Sequence, residues 1–177
     1  TKEALNAIKE ADLILFSIRK KPSLIFHYIG CLGLVILFLL KLRSKEEMKN
    51  RLFAFVKHFP DIDEFVDEFW KKHHHKIKDF WTEKKSHKND IIISASGRFW
   101  LEPIAKEYKV KDLFATDIDP KTGVVSGNNC HGKEKVKIFR DKYPKAEIMK
   151  MYTDSKNDLP LIEAAKEGIL VKRNKLY

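Results

Sequence analysis

The chain has 177 residues, 44% of them hydrophobic, which is enough for one ordinary domain or for a core with a smaller insertion. Its net charge of +10 is spread evenly: residues 1–90 hold 18 Lys/Arg against 13 Asp/Glu and the rest hold 17 against 12, so each half is +5. An even spread indicates no dedicated nucleic-acid tail or patch, and leaves a general basic field that would draw in phosphorylated small molecules.

Up to residue 88 the pattern is helical. Residues Leu24–Leu42 are almost wholly apolar, interrupted only by His27 and Lys41. Two readings stay open there: a buried or partly exposed helix, or a helix in or on a membrane, since the length is at the low end for a span. Ser44-Lys45-Glu46-Glu47 reads as a capping box that opens a further helix. From Ile62 to Trp81 apolar residues recur every three or four positions, which predicts one long helix with a Phe/Trp stripe facing a core. Within it, His73-His74-His75 cannot converge on one metal ion, because consecutive helical residues point about 100° apart. The triplet is expected on a solvated face.

After residue 88 short apolar strands alternate with helices. The expected elements are strands over Asp90–Ala95, Leu113–Ile118, Glu147–Thr153 and Ile169–Lys172, and helices over Phe99–Tyr108, Gly132–Lys142 and Leu159–Lys166. Pro103 is compatible only with the first turn of its helix. Val124–Val125 suits a short ribbon. Strands alternating with helices predict an α/β fold built on a parallel sheet, with ligands at the C-terminal ends of the strands. The two cysteines, Cys31 and Cys130, sit in unlike surroundings and suggest no disulfide, as in a reducing cytoplasm. Cys130 reads as a small packed residue.

Three strand or helix ends carry candidate chemistry. The strand DIIIS ends in Ser94-Ala95-Ser96-Gly97, where a hydroxyl and free N–H groups could hold an anion or simply make a turn. Ser94 is placed at the sheet edge and Ser96 at a helix cap. The strand EIMKMYT runs into Asp154-Ser155-Lys156-Asn157-Asp158, whose two carboxylates could hold Mg²⁺ or cap the next helix. Lys135 opens the helix between them and could meet a phosphoryl oxygen, or be one of many surface lysines.

Order and spacing join these features. Ser94 is followed 41 residues later by Lys135, and Asp154 comes 19 residues after that. With the flanks IIISASGRFWLEPIA, ATDIDPKTGVVSGNNCHGKEKV and YTDSKNDLPLIEAA, the segment 90–172 resembles motifs two, three and four of the phosphoserine-phosphatase-like branch of the haloacid dehalogenase (HAD) superfamily. The resemblance implies a Rossmann-like parallel-sheet core over residues 89–177 and a helical cap over residues 1–88. It implies a cytoplasmic, Mg²⁺-dependent phosphatase of small phosphate monoesters that forms an aspartyl-phosphate. Ser94 and the Ala95 N–H would hold a phosphoryl oxygen, and Lys135 would offset its charge. Asp154 would ligate Mg²⁺, with Asp158 as second ligand or as the group that orients Lys135. Asn157 would bond at the metal or phosphate edge.

The family's first motif, Asp-x-Asp-x-Thr, supplies the nucleophile and the general acid, and it does not occur in these residues. Asp117-Ile118-Asp119-Pro120-Lys121 has Lys at the fifth position and lies between motifs two and three. Helical pattern begins near Ala4–Asp12, where the family's cap helices follow motif one. The expectation is therefore a chain that lacks one strand with its nucleophile and is inactive as it stands. The alternatives are a phosphate- and Mg²⁺-binding pseudoenzyme, or a membrane-associated protein organised by residues 24–42.

Overall fold

The computed structural model describes residues 10–40, 42–127, 130, 132–153, 155, 158–172 and 175–176. The first half is helical. Helix α1, Glu10–Lys20, has acidic residues in its first turn and basic ones in its last, matching the helix dipole, and buries Leu13, Phe16 and Ser17 on one face. Helix α2 spans Leu24–Leu39. Helix α3, Lys45–Phe53, opens with the expected capping box: Ser44 Oγ accepts from the Glu47 N–H at 3.1 Å, and the Glu47 carboxylate accepts from the Ser44 N–H at 2.9 Å. A 3₁₀ turn, Ala54–His58, then leads to helix α4, Ile62–His73, whose Asp61 N-cap accepts from the Glu64 N–H.

Helix α4 ends at His73, so the long helix expected to Trp81 is broken. A 3₁₀ turn over His74–Lys76 and extended backbone at Ile77 and Lys78 come before a short helix α5, Asp79–Thr82. The bend lets Ile77 and Trp81 reach the core from another direction, and Trp81 stacks on His87 with ring centroids 4.1 Å apart. His73 is not solvated as expected. It is buried, stacked on Phe69, with Nδ1 2.8 Å from the Phe69 carbonyl. His74 pairs with Glu107.

The second half is α/β. Strand β1 (Ile91–Gly97), helix α6 (Arg98–Glu107) and strand β2 (Asp112–Thr116) form one parallel unit. Helix α7 (Lys133–Lys142) leads to a second, made of β3 (Ile148–Thr153), α8 (Leu159–Glu163) and β4 (Ala165–Lys172). Strand β5 (Lys175–Leu176) adds antiparallel to β4. The expected ribbon at Val125 is a single bridge to Ile118.

Two expectations need correction. Pro103 lies in the interior of α6, beyond its first turn. The helix after Asp158 stops at Glu163, because Ala165 already pairs with Ile148 of β3 and sheet pairing overrides the helical pattern. The fold is α/β with parallel strands, but these form two sheets, β1-β2 and β3-β4-β5, among the described residues.

One apolar cluster ties the halves together, joining Phe16, Phe65 and Phe69 of the helices to Ile92, Trp100 and Ala115 of the β1-α6-β2 unit. Phe69 meets Trp100 edge-on at 5.6 Å, and Trp70 Nε1 donates to the Trp100 carbonyl. A fully buried aromatic of this kind contributes about 1.5–3 kcal/mol, and truncating Phe69 to Ala would cost about 3–5 kcal/mol. A smaller cluster under the second sheet holds Ile93, Cys130, Phe139, Met151 and Leu161, so Cys130 is packed as expected.

Candidate functional site

The strands deliver polar side chains to their C-terminal ends, and these are buried. Ser94, Thr116, Lys135, Thr153 and Asp158 are each at most 3% exposed, in a chain where buried polar groups are otherwise few. Burial of such groups costs free energy unless each is bonded, so the bonds among them define the site.

Ser94 is set by an irregularity in β1. From Ile93 to Gly97 the strand advances four residues while its partner β2 advances two, Phe114 to Thr116. The excess lifts Ser94–Ser96 out of the ladder, as a bulge does. Ser94 Oγ accepts from the Ser96 N–H at 3.2 Å. Thr116 Oγ1 donates to the Ala95 carbonyl at 2.8 Å and fixes the turn from the β2 side. Ser96 does not cap α6, contrary to expectation. Gly97 is the N-cap residue, and Ser96 Oγ donates to Glu10 at 3.0 Å.

Lys135 and Asp158 meet in the second unit. Gly132, with φ +56°, precedes α7 in a conformation that favours glycine and brings Lys135 into the first turn of that helix. Lys135 Nζ donates to Asp158 Oδ1 at 2.5 Å, with both side chains buried. Thr153 Oγ1, at the last position of β3, donates to the other oxygen, Asp158 Oδ2, at 3.0 Å, and accepts from the Ser155 N–H. Each Asp158 carboxylate oxygen is thus engaged by a protein donor, Lys135 on one and Thr153 on the other. Among the described residues no group of three His, Cys, Asp or Glu could hold a metal ion. Asp154 and Asn157 lie outside the described residues.

Three members of the site, Lys49, Thr116 and Thr153, were not anticipated. Lys49, from α3, donates to the Ala95 carbonyl at 2.8 Å and lies 3.4 Å from Thr116 Oγ1. Nothing in the sequence distinguishes it among 35 Lys/Arg. Thr153 had a readable signal, because it is a polar residue that closes an apolar strand just as Ser94 does.

A cavity of about 480 Å³ lies between the two sheets. Asn89–Ile91 and Ile93 of the β1 side line it, opposite the consecutive residues Ile148–Tyr152 of β3. Consecutive lining residues are what a strand edge presents. β1 pairs only with β2, and β3 only with β4, among the described residues. Tyr143 stands at the wall and donates to the Asp112 carboxylate, and that bond, with burial, pushes its hydroxyl pKa up to about 12. A model of the haloacid dehalogenase-like hydrolase family matches residues 9–163.

The chain belongs to the HAD-like hydrolase family. No curated protein and no solved structure matches it. The match runs from α1 through α8 and so takes in both halves of the HAD chain, including Ser94, Lys135 and Asp158. Neither acid of Asp117-x-Asp119 is offered to the buried cluster. Asp117 pairs with Arg98 at 2.6 Å, and Asp119 accepts from the backbone N–H groups of Thr122 and Lys121, which hold its carboxyl below the usual range.

Proposed function

We propose that this HAD-like hydrolase is a phosphatase of small phosphate monoesters, with residues 89–177 as its core and the helices of residues 1–88 as its cap. The observation that carries the reading is the buried Lys135–Asp158–Thr153 chain at one strand end. A lysine held by a buried carboxylate stays charged and fixed in direction, as neutralisation of a phosphoryl group requires.

In the proposed reaction a carboxylate attacks phosphorus as the ester P–O bond breaks, and the leaving oxygen takes a proton from a general acid. Water then cleaves the aspartyl-phosphate, which frees the carboxylate and releases phosphate. Ser94 Oγ and the Ala95 N–H hold one phosphoryl oxygen. Lys135 faces the developing charge, Asp158 and Thr153 keep it in place, and Asn157 bonds at the phosphate edge. Mg²⁺, held by Asp154, would add charge neutralisation when bound. In this reading the attack is assigned to neither Asp117, the ion-pair partner of Arg98, nor Asp119, which accepts from the backbone N–H groups of its turn.

Binding of orthophosphate to the chain, followed by ³¹P line broadening, tests the site without requiring turnover. Ser94→Ala should weaken phosphate binding about tenfold, equivalent to about 1.4 kcal/mol, at a temperature where circular dichroism shows both proteins folded. Chelation of Mg²⁺ should weaken it further. Equal phosphate affinity in wild type and Ser94→Ala would remove Ser94 from the site.

A further inference from the structure

Helix α2 is the least polar element of the protein, and most of it is uncovered. Of its residues Leu24–Leu39, only Leu24, Tyr28 and Cys31 are buried. These three face α1 and α3: Tyr28 hydrogen-bonds Ser17 at 2.7 Å, and Cys31 Sγ lies 3.8 Å from the Arg51 carbonyl. Through its first half the helix thus lies against its neighbours. Its outer face carries Ile25, Phe26, Ile29, Leu32, Ile36 and Leu39, exposed by 47% to 76%. At 100° per residue these span about 140° of the helix circumference, wider than the seam that one partner helix covers.

Length and charge decide what covers this face. Sixteen residues make about 24 Å of helix, short of the roughly 30 Å of a bilayer's hydrocarbon core. No helix among the described residues is long and apolar enough to cross a membrane. Residues 13–45 contain no Asp or Glu and six Lys/Arg, Arg19, Lys20 and Lys21 before the helix and Lys41, Arg43 and Lys45 after it, of which Lys20 pairs with Glu68 and Arg43 with Glu47. Two-fold pairing with a second copy would set these like-charged ends against each other. An anionic surface meets both ends with attraction.

We propose that α2 is a membrane-surface seat, lying in the plane of an anionic lipid bilayer with its outer face among the acyl chains and the flanking cations on the headgroups. An in-plane helix of this kind buries its apolar face about 5–10 Å into the headgroup boundary. The cations add an attraction that salt screens. The substrate site at the strand ends is independent of this seat, and either assignment can fail without the other.

The test is co-sedimentation of the chain with vesicles of equimolar phosphatidylglycerol and phosphatidylcholine, and with vesicles of phosphatidylcholine alone. Wild type should pellet with the anionic vesicles, bind pure phosphatidylcholine at least about tenfold more weakly, and detach as salt rises. Leu32→Glu, at a well-exposed position, should lower the partition coefficient at least about tenfold with an unchanged melt. Arg19→Gln with Lys21→Gln keeps the apolar face and should lower binding to the anionic vesicles alone. Wild type left in the supernatant, equal binding to both lipids, or variants that bind like wild type would each overturn the proposal. So would a lipid-free dimer, seen by sedimentation velocity, that Leu32→Glu dissolves.

Discussion

Asp158 shows how far one carboxylate is committed, with one oxygen on Lys135 and the other on Thr153 and almost no exposure. Asp158→Asn keeps the shape but leaves a buried ammonium without its counter-charge. It should destabilise the protein by about 3–5 kcal/mol, read as a fall in urea midpoint, whereas Lys135→Met combined with Asp158→Leu should recover part of that loss. A melt unchanged by Asp158→Asn would mean that the pair is not closed. His27 is a second informative residue. Burial lowers its pKa first, and the nearby positive charges of Arg51 and His58 act in the same direction, against backbone hydrogen bonds that raise it. A folded pKa below 6.5 means that the folded state prefers the neutral ring, so its contribution is present above that pH and is lost as pH falls through the folded value. Stability should therefore drop as pH falls below about 6.5, and His27→Gln should flatten that part of the profile in thermal melts.

At the scale of elements, the join between the halves rests on close backbone approach. Gly123 closes the turn after β2 with φ +74°, and a Cβ there would stand 2.3 Å from the Phe53 carbonyl oxygen at the end of α3. Lys49 and Asn50 of the same helix hold the Ala95 carbonyl and the Val125 N–H. Gly123→Ala should cost about 2 kcal/mol or more, since it adds backbone strain to a clash with main chain that cannot move alone. A urea midpoint within error of wild type would show that α3 is not seated on this turn. The elements themselves were partly legible. The capping box at Ser44 and the apolar strands were readable because both depend on local chemistry. The break at His73 and the early end of α8 were not, because a distant stacking partner, His87, and a sheet partner, Ile148, decided them.

For the whole molecule, the proposed reaction needs an attacking carboxylate, while Asp117 is paired with Arg98 and Asp119 with the backbone N–H groups of its turn. The chain should show no Mg²⁺-dependent hydrolysis of p-nitrophenyl phosphate above a purified blank. Turnover that persists through purification and is lost in Asp117→Asn would restore Asp117 as the nucleophile. A peptide of five or six apolar residues ending in Asp, supplied in trans, should raise the melting temperature if it occupies the gap between β1 and β3, since a ligand of the folded state alone stabilises it. The basic charge is shared by both halves, so salt should weaken encounter with anionic substrates generally and not through one patch.

The sequence by itself determined the α/β alternation, the helical first half, and the order and spacing of Ser94, Lys135 and Asp154. It did so because strand, helix and turn signals are local, and because the order and spacing of residues are read directly from the chain. Only the tertiary structure decided that Asp158 faces Lys135 and Thr153, that Ser96 meets Glu10 while Gly97 caps α6, and that Lys49 reaches across from the helical half. It also decided that α2 keeps one face covered and the other bare. Each of these depends on which surfaces meet, and hydrophobic periodicity reports that a face is apolar without reporting what lies against it.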